Sequence, residues 1–292
     1  MQKSLVITLL STLGLCAAAH ADLPSEFEAD SSYVSRSHTD FHGLRKGGNG
    51  DVSEESSSIR YVLTPQVADG YFLRLGAEWQ RYSFGLPSKA PIPNTLESTS
   101  LVLGVDITKF DGWIFRAEAT PGFYGDFQGK ISDQFNVPVV FGASYIVTSE
   151  LQWVVGLYLD VNGHIPLIPG VGVRWQFADD WTLDAILPTP RLEYELSKNL
   201  TIYTGFEVKD GSYRVNSHFG DSHGNEQLNG AVIDYTEFRA GAGASWKLNT
   251  NITLEFETGY MPYREFSYHR VGSTIDTHDG APYGQISISG RF

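Results

Sequence analysis

The chain has 292 residues, of which 13% are aromatic and 30 are glycine, and its formal net charge is −13. This acidic balance argues against nucleic-acid binding, which rests on basic patches. The mean hydropathy is −0.18, and no stretch beyond the N-terminal segment holds the roughly eighteen consecutive apolar residues of a membrane-spanning helix. The composition therefore fits a helical membrane protein badly.

The N-terminal segment, residues 1–21, is predicted to be a signal peptide. Lys3 supplies the positive end, Leu5–Leu15 the apolar stretch, and Ala19–Ala21 a small-x-small cleavage site. The residues before Cys16 loosely resemble a lipoprotein box, but Leu15 is bulky where a small residue is usual, so a lipoprotein is the lesser alternative. Cys16 is the only cysteine, which leaves residues 22–292 without a disulfide or a thiol nucleophile.

Residues 22–292 read as one domain of strands that alternate between apolar and polar side chains. After a polar lead-in at Asp22–Asp30, the predicted strands run in chain order, with a loop at Gly43–Ser57: Ser31–Phe41, Ile59–Thr64, Tyr71–Phe84, Glu97–Phe110, Trp113–Tyr124, Phe135–Thr148, Leu151–His164, Val171–Phe177, Trp181–Leu187, Leu192–Leu196, Leu200–Val208, Ala231–Leu248, Ile252–Tyr263 and Ala281–Phe292. This predicts an all-β, closed antiparallel transmembrane β-barrel of about fourteen strands. The number is twelve if Ser31–Phe41 and its neighbour lie outside the wall.

The connections alternate between tight turns, such as Asp111-Gly112, and longer segments, such as Gly211–Gly230. Outer-membrane barrels have short turns on the periplasmic side and longer loops outside. Both chain ends are therefore predicted to lie in the periplasm. A soluble β-sandwich is a lesser alternative, because its strands average about five or six residues and several strands predicted here are much longer.

The last strand has an apolar face of Gly284, Ile286 and Ile288 and ends on Phe292. It resembles the closing strands of bacterial outer-membrane barrels, although Gly290 stands where a larger apolar residue is usual. In such strands the terminal Phe is part of the signal read by the insertion machinery. The resemblance implies that Phe292 is an assembly signal and that the partners are outer-membrane lipid and the barrel-assembly machinery.

The apolar face of the strands is predicted to face lipid, and closure is required because unpaired strand edges in hydrocarbon are costly. Trp113, Trp153, Trp181 and Trp246 lie near the tight turns and are predicted to form the periplasmic aromatic girdle.

The opposite face places charged residues in the lumen. These are Arg74, Glu78, Arg116, Glu118, Arg174, Arg191, Glu193, Glu207, Lys209, Glu237, Arg239, Glu255 and Glu257, together with Asp106, Asp160, Asp184 and Glu195. Opposite charges two residues apart, as in Glu237/Arg239, favour a lumen filled by paired charges. The alternative is a charged constriction that selects solutes, with a weak preference for cations because acids outnumber bases.

Other site types have weaker support. His218, Asp221 and His223 share one predicted outer loop, and another holds His269, Asp276, His278 and Asp279. Neither loop has a fixed ligand spacing, so no metal site and no cofactor is predicted. Barrel lipases pair a Ser with a His near the outer rim, but no Ser is singled out as a partner for His164. The chain is accordingly predicted not to be an enzyme.

The run Leu187–Glu207 contains a Pro188-Thr189-Pro190 hairpin, a Lys198-Asn199 turn and a strand carrying Gly205 and Glu207. It resembles the core of a bacterial outer-membrane β-barrel family of unknown function. The resemblance implies a barrel in the outer membrane and supplies no catalytic residues. The strands beside this hairpin are short, about seven residues against the roughly 9–11 of a spanning strand.

The sequence thus predicts a porin-like outer-membrane barrel of a Gram-negative envelope, acting as a structural barrel or as a small-solute channel with a charge-lined lumen. Two alternatives stay open. One is a barrel enzyme that acts on envelope lipid, and the other is a surface adhesin or receptor that uses the outer loops.

Overall fold

The computed structural model describes residues 24–41, 49–87, 90–277 and 279–292. Most of them lie in one sheet of eighteen strand segments that closes on itself. The predicted signal peptide lies outside the described residues.

The strand segments are numbered in chain order. They are β1 (Ser25–Asp40), β2 (Asn49–Leu63), β3 (Gln66–Ala68), β4 (Tyr71–Gly85), β5 (Thr95–Ile107), β6 (Trp113–Ala119), β7 (Gly122–Gly125), β8 (Phe135–Asn136), β9 (Val139–Ile146), β10 (Leu151–Leu159), β11 (Leu167–Ala178), β12 (Trp181–Asp184), β13 (Arg191–Ser197), β14 (Leu200–Arg214), β15 (Val232–Lys247), β16 (Ile252–Tyr268), β17 (Ser273–Thr277) and β18 (Ala281–Arg291). One short helix, α1 (Phe219–His223), follows β14, and 3-10 turns lie at Ile131–Gln134 and Glu226–Leu228.

The wall has fourteen strands, as the sequence predicts. The segment β3 pairs only with the start of β4, while β7 continues β6, β8 leads into β9, and β17 leads into β18. Neighbouring wall strands are antiparallel, and β1 closes the barrel on β18 from Glu26↔Arg291 to Val34↔Tyr283. The Ser25 and Phe292 backbones complete this seam with two 2.9 Å hydrogen bonds.

Two predictions for the first strands are wrong. Most of the predicted lead-in Asp22–Asp30 belongs to β1, which begins at Ser25, and the predicted loop Gly43–Ser57 contains the first residues of β2, which begins at Asn49. Small polar side chains replace the apolar and polar alternation here. Ser32 and Ser56, for example, are buried and hydrogen-bonded across the two strands at 2.7 Å, so their pairing leaves no period-two signal in hydrophobicity.

The wall is uneven in height. Strands β14, β15 and β16 have 15, 16 and 17 residues, whereas β12 has 4 and β13 has 7. The predicted strands Leu151–His164 and Trp181–Leu187 end early, at Leu159 and Asp184. Prolines follow these ends, at Pro166 and Pro188, and proline cannot donate to a strand ladder.

The outer face of the wall is apolar and exposed. Val171 is 69% exposed, and Trp153 and Val155 are each 49% exposed. The predicted girdle tryptophans also lie on this face, with Trp113 packed on Tyr145 at 4.8 Å and Trp181 on Tyr194 at 4.9 Å between ring centroids. A closed sheet that turns such side chains outward is stable in lipid, as a transmembrane β-barrel requires. No described helix is long and apolar enough to cross a bilayer.

The outer half of the lumen is filled by an apolar core. Tyr82 and Phe84 of β4 meet Tyr235 of β15 and Phe266 of β16, with Phe84 and Phe266 at 5.0 Å between ring centroids. The connection between β4 and β5 folds into this core, where Ile92 is 1% exposed. The outer end of the barrel is therefore closed by side chains.

Candidate functional site

Directly beneath the apolar core lies a cluster of four charged side chains, which we call the deep cluster: Glu54 of β2, Glu237 and Arg239 of β15, and Arg264 of β16. All four side chains are fully buried. Arg239 Nε donates to Glu237 and Arg239 Nη2 to Glu54 at 3.0 Å. Arg264 Nε lies 3.2 Å from Glu237 and 3.5 Å from Glu54.

Neutral side chains complete the deep cluster. The Tyr235 hydroxyl contacts Glu54 and lies 2.5 Å from Glu237. Arg239 Nη1 donates to Ser32 at 2.8 Å and to Gln285 at 3.2 Å. Two carboxylates and two guanidinium groups balance in charge, which is the condition under which buried ions are tolerated. Only Arg264 Nη1 and Nη2 lack a hydrogen-bond partner in the described part of this cluster.

A second charged group lies on the lumen face of β1 to β6. Arg74 is 2% exposed and donates to Glu118 at 2.7 Å and to Glu26 at 3.0 Å. Arg60 bridges Glu78 and Glu118. Arg116 forms a bidentate pair with Asp106, both bonds 2.8 Å long.

A third group lies on the facing side, from β11 to β16. Arg191 lies 3.1 Å from Glu255, 3.5 Å from Glu257 and 4.1 Å above the Tyr203 ring. Lys209 is 3.8 Å from Glu207. Arg174, which is 45% exposed, pairs with Asp184 and Glu193.

All the predicted lumen charges except Asp160 and Glu195 lie in these three groups, and they pair both along and across strands. Glu237/Arg239 and Glu207/Lys209 pair along one strand. Arg116 and Glu118 instead pair with residues of neighbouring strands, and so do Arg191 and Glu193. Cross-strand neighbours at about 4.5–5.5 Å compete with same-strand neighbours for the long Arg side chain. Asp160 accepts from Asn136 and Asn162 in a loop.

Four partners were missed by the sequence reasoning: Glu26, Glu54, Arg60 and Arg264. Glu26 and Glu54 fell in segments predicted as lead-in and loop. Glu54 and Arg60 lie an even number of residues apart on β2 and face the same side of the wall, so side-chain alternation along β2 could have identified both. Arg264 could not be placed by parity, because a register shift between Phe238/Ala240 and their partners on β16 changes which residues face inward.

On the periplasmic side of the deep cluster the lumen is hollow. A cavity of about 570 Å³ opens at the periplasmic end and is lined by residues including Arg174, Asn251 and Arg291. A second cavity of about 420 Å³ reaches up to Gln80 and Tyr82 at the base of the core. The two cavities share the lining residues Glu28, Glu255 and Ser289. Together they form a charged, hollow inner half below the apolar core. A third cavity of about 570 Å³ lies on the outer side of that core, against Ile92, Phe219 and His218.

The outer loops hold the other predicted candidates. His218 and Asp221 pair at 3.1 Å, and hydrogen bonds from Asn229 and His218 lower the pKa of the exposed Asp221 carboxyl. His164 stacks on His269 at 5.3 Å between ring centroids. The described residues contain no group of three or more His, Cys, Asp or Glu placed to hold a metal ion, and His278 lies outside them.

A Ser–His contact does occur in α1, where Ser222 Oγ lies 3.0 Å from His223 Nδ1. Both side chains also contact the carbonyl oxygen of Phe219, at 2.8 and 2.7 Å. This is a local arrangement within one helical turn, and no catalytic role is assigned to it.

The model of a domain of unknown function, DUF6268, matches residues 76–274. No curated protein shows significant sequence similarity to the chain. Among solved structures, an outer-membrane channel from Pseudomonas putida F1 is similar at 9% identity and a TM-score of 0.49, covering 93% of this chain and 96% of that one. The toluene transporter TodX of P. putida is similar at 8% identity and a TM-score of 0.43, covering 92% and 90%. The NanC porin is similar at 11% identity and a TM-score of 0.40, covering 91% and 100%.

Proposed function

We propose that this chain, which belongs to the DUF6268 family, is an outer-membrane channel for small solutes that is closed at its outer end. The observation that carries the proposal is the hollow inner half of the lumen. A barrel with a purely structural role gains nothing from cavities, because each empty or wet volume forfeits packing contacts. Here two adjoining cavities lead from the periplasmic mouth to the base of the apolar core.

The lining of the upper cavity sets the expected selectivity. Its acids, Glu28, Asp30, Glu207, Asp210 and Glu255, outnumber its bases, Arg191 and Lys209. Rings of acidic side chains favour cations in channels. The expected solutes are therefore small cations or neutral molecules, and no catalytic residue is part of the proposal.

The gate would be the β4–β5 connection, which places Ala90 and Ile92 inside the core at 4% and 1% exposure. It is held there partly by a 2.9 Å hydrogen bond from the Tyr268 hydroxyl to Pro91 O. Its buried residues 90–93 lie outside the β4–β5 pairing, which ends at Ser83↔Thr95, so their departure from the lumen would break no strand pairing of the wall.

The test is planar-bilayer conductance of Ile92→Asp. An unpaired carboxylate in an apolar core carries a desolvation penalty of several kcal/mol, so the connection should leave the core and the barrel should conduct. The matched control is Ile131→Asp, since Ile131 is 45% exposed in another outer connection. The wild type and the control should conduct little, and the Ile92→Asp current should favour cations. A folded Ile92→Asp barrel with no added conductance would contradict the proposal.

A further inference from the structure

The wall is too low to span the bilayer at β12 and β13. At about 3.3 Å per residue and a tilt of about 45°, the 7 residues of β13 and the 4 of β12 cover roughly 16 and 9 Å of height. The apolar band of such barrels is about 25 Å tall. The segment 185–190 above these strands therefore lies at membrane depth.

The strand beside this low segment has an unpaired edge. After Arg191↔Gly205, β14 is paired on that side only by Phe206 N–H to Pro190 O at 3.1 Å and Val208 N–H to Pro188 O at 2.9 Å. From there to Arg214, which meets Gly125 of β7, no described strand pairs with this edge. Unpaired backbone at membrane depth is tolerated only where protein covers it or water reaches it.

The upper lumen cavity reaches this place. Its lining includes Pro188 and Thr189 of the low segment and Val208 and Asp210 of the unpaired edge, together with Ser287 of β18. Apolar side chains lie beside it on the outer face, with Leu187 55% exposed and Phe206 41% exposed. A polar cavity thus meets an apolar rim at the level of the bilayer.

We propose that the gap between the segment 187–190 and β14 is a lateral portal, through which small cationic amphiphiles pass between the lumen cavity and the outer leaflet. The proposal rests on the proposed channel function and names its substrate class and route. A molecule that leaves through the portal needs an apolar body to enter lipid, and the cavity favours a positive head group.

An unpaired carboxylate in the cavity supports the preference for a cationic head. Glu28 lines both cavities, and no hydrogen bond or ion pair joins it to another described residue. Glu207 is paired with Lys209, and Arg191 is engaged by Glu255 and Glu257. The Glu28 carboxylate is therefore available to an ammonium group, while the nearby guanidinium group is already occupied.

The portal is tested with Leu187→Cys, since Leu187 lies on the outer face of the low segment, 55% exposed and outside the lining of the lumen cavity. Cys16, the only native cysteine, lies in the predicted signal peptide. The thiol is modified with a bulky maleimide, and uptake of octyltrimethylammonium into proteoliposomes is measured. The same modification of Thr108→Cys, in a periplasmic turn, is the matched control. Potassium conductance is measured in parallel with each cysteine in the Ile92→Asp background.

Modification at Leu187 should reduce amphiphile uptake to the rate of protein-free vesicles and leave the potassium conductance unchanged, while modification at Thr108 changes neither. Unchanged uptake after complete modification at Leu187 would overturn the portal and leave the channel standing. If neither the amphiphile nor potassium passes in any unmodified variant, the proposed channel function fails and the portal with it.

Discussion

At the scale of single residues, the deep cluster shows why the same ion pair can be weak or strong. Arg239 and Arg174 both contact two carboxylates, but Arg239 is fully buried and Arg174 is 45% exposed. Exposed pairs lose most of their attraction to solvent screening and contribute about 0–1 kcal/mol. Removing one partner of a buried pair leaves an uncompensated charge and costs about 3–5 kcal/mol.

The Arg239→Ala barrel should therefore lose about 3–5 kcal/mol of stability, because Glu54 and Glu237 would share Arg264 alone. Arg174→Ala, the matched control, should lose about 0–1 kcal/mol. Both are measured as the denaturant dependence of unfolding in detergent micelles. Equal, small losses for the two variants would mean that water reaches the deep cluster, and the outer half of the lumen would then not be dry.

The alternation of side chains along a strand predicted part of this site from the sequence, and a break in that alternation hid the rest. Glu237 and Arg239 are placed correctly because the surrounding strand keeps period two over many residues. Arg264 is not, because Met261, buried at 0%, and Arg264 both face inward although three residues apart. Such a bulge, beside Pro262, has no signature in hydrophobicity alone.

At the scale of single strands, the structure of β18 shows why Gly290 stands where closing strands usually have a larger apolar residue. A Cβ atom at Gly290 would meet the Phe292 ring at 2.9 Å, so the ring occupies the space that a larger residue would need. The Phe292 ring remains 51% exposed, while its backbone holds the seam to Ser25. The ring and the backbone therefore have separable roles.

If Phe292 is an assembly signal, Phe292→Ala should lower the folded fraction in the outer membrane without weakening the barrels that do assemble. The backbone bonds of the seam persist, and an exposed substitution changes stability by about 0.5 kcal/mol or less. Folded yield in membranes and unfolding of the purified barrel are measured separately. An unchanged yield would show that the resemblance of this strand to closing strands has no role in assembly.

The low wall at β12 and β13 was partly predictable. The short strands beside Pro188-Thr189-Pro190 follow from proline chemistry. The turning of β14 away from β13 toward β7 does not, because this pairing joins residues 125 and 214, which local patterns cannot connect.

At the scale of the whole molecule, closure and lipid exposure follow from a repeated pattern, and this is why the fold class was predictable. Strand alternation, girdle tryptophans and the rhythm of long and short connections each point to the same barrel. The filling of the lumen was not predictable, because the core depends on the β4–β5 connection folding inward, and its Pro-rich sequence reads as an ordinary outer loop.

The closed barrel should keep its shape in mild detergent and run faster on an unheated gel than after boiling. The described part of the wall has no unpaired strand edge at which detergent could separate the strands, apart from the short edge of β14. The ratio of folded to unfolded bands is measured against temperature. Identical mobility with and without heating would contradict the closed fold.

The central claim is that the lumen is wet in its inner half and dry in its outer half, and cysteine reactivity along β18 tests it most directly. Ser289 and Ser287 line the cavities, whereas Ala281, further out on the same strand, is fully buried. A water-soluble thiol reagent applied to the assembled barrel should modify Ser289→Cys and Ser287→Cys and leave Ala281→Cys unmodified until the barrel is unfolded. Reaction at all three positions would reveal an open pore, and reaction at none would reveal a lumen filled throughout; either result would contradict the account.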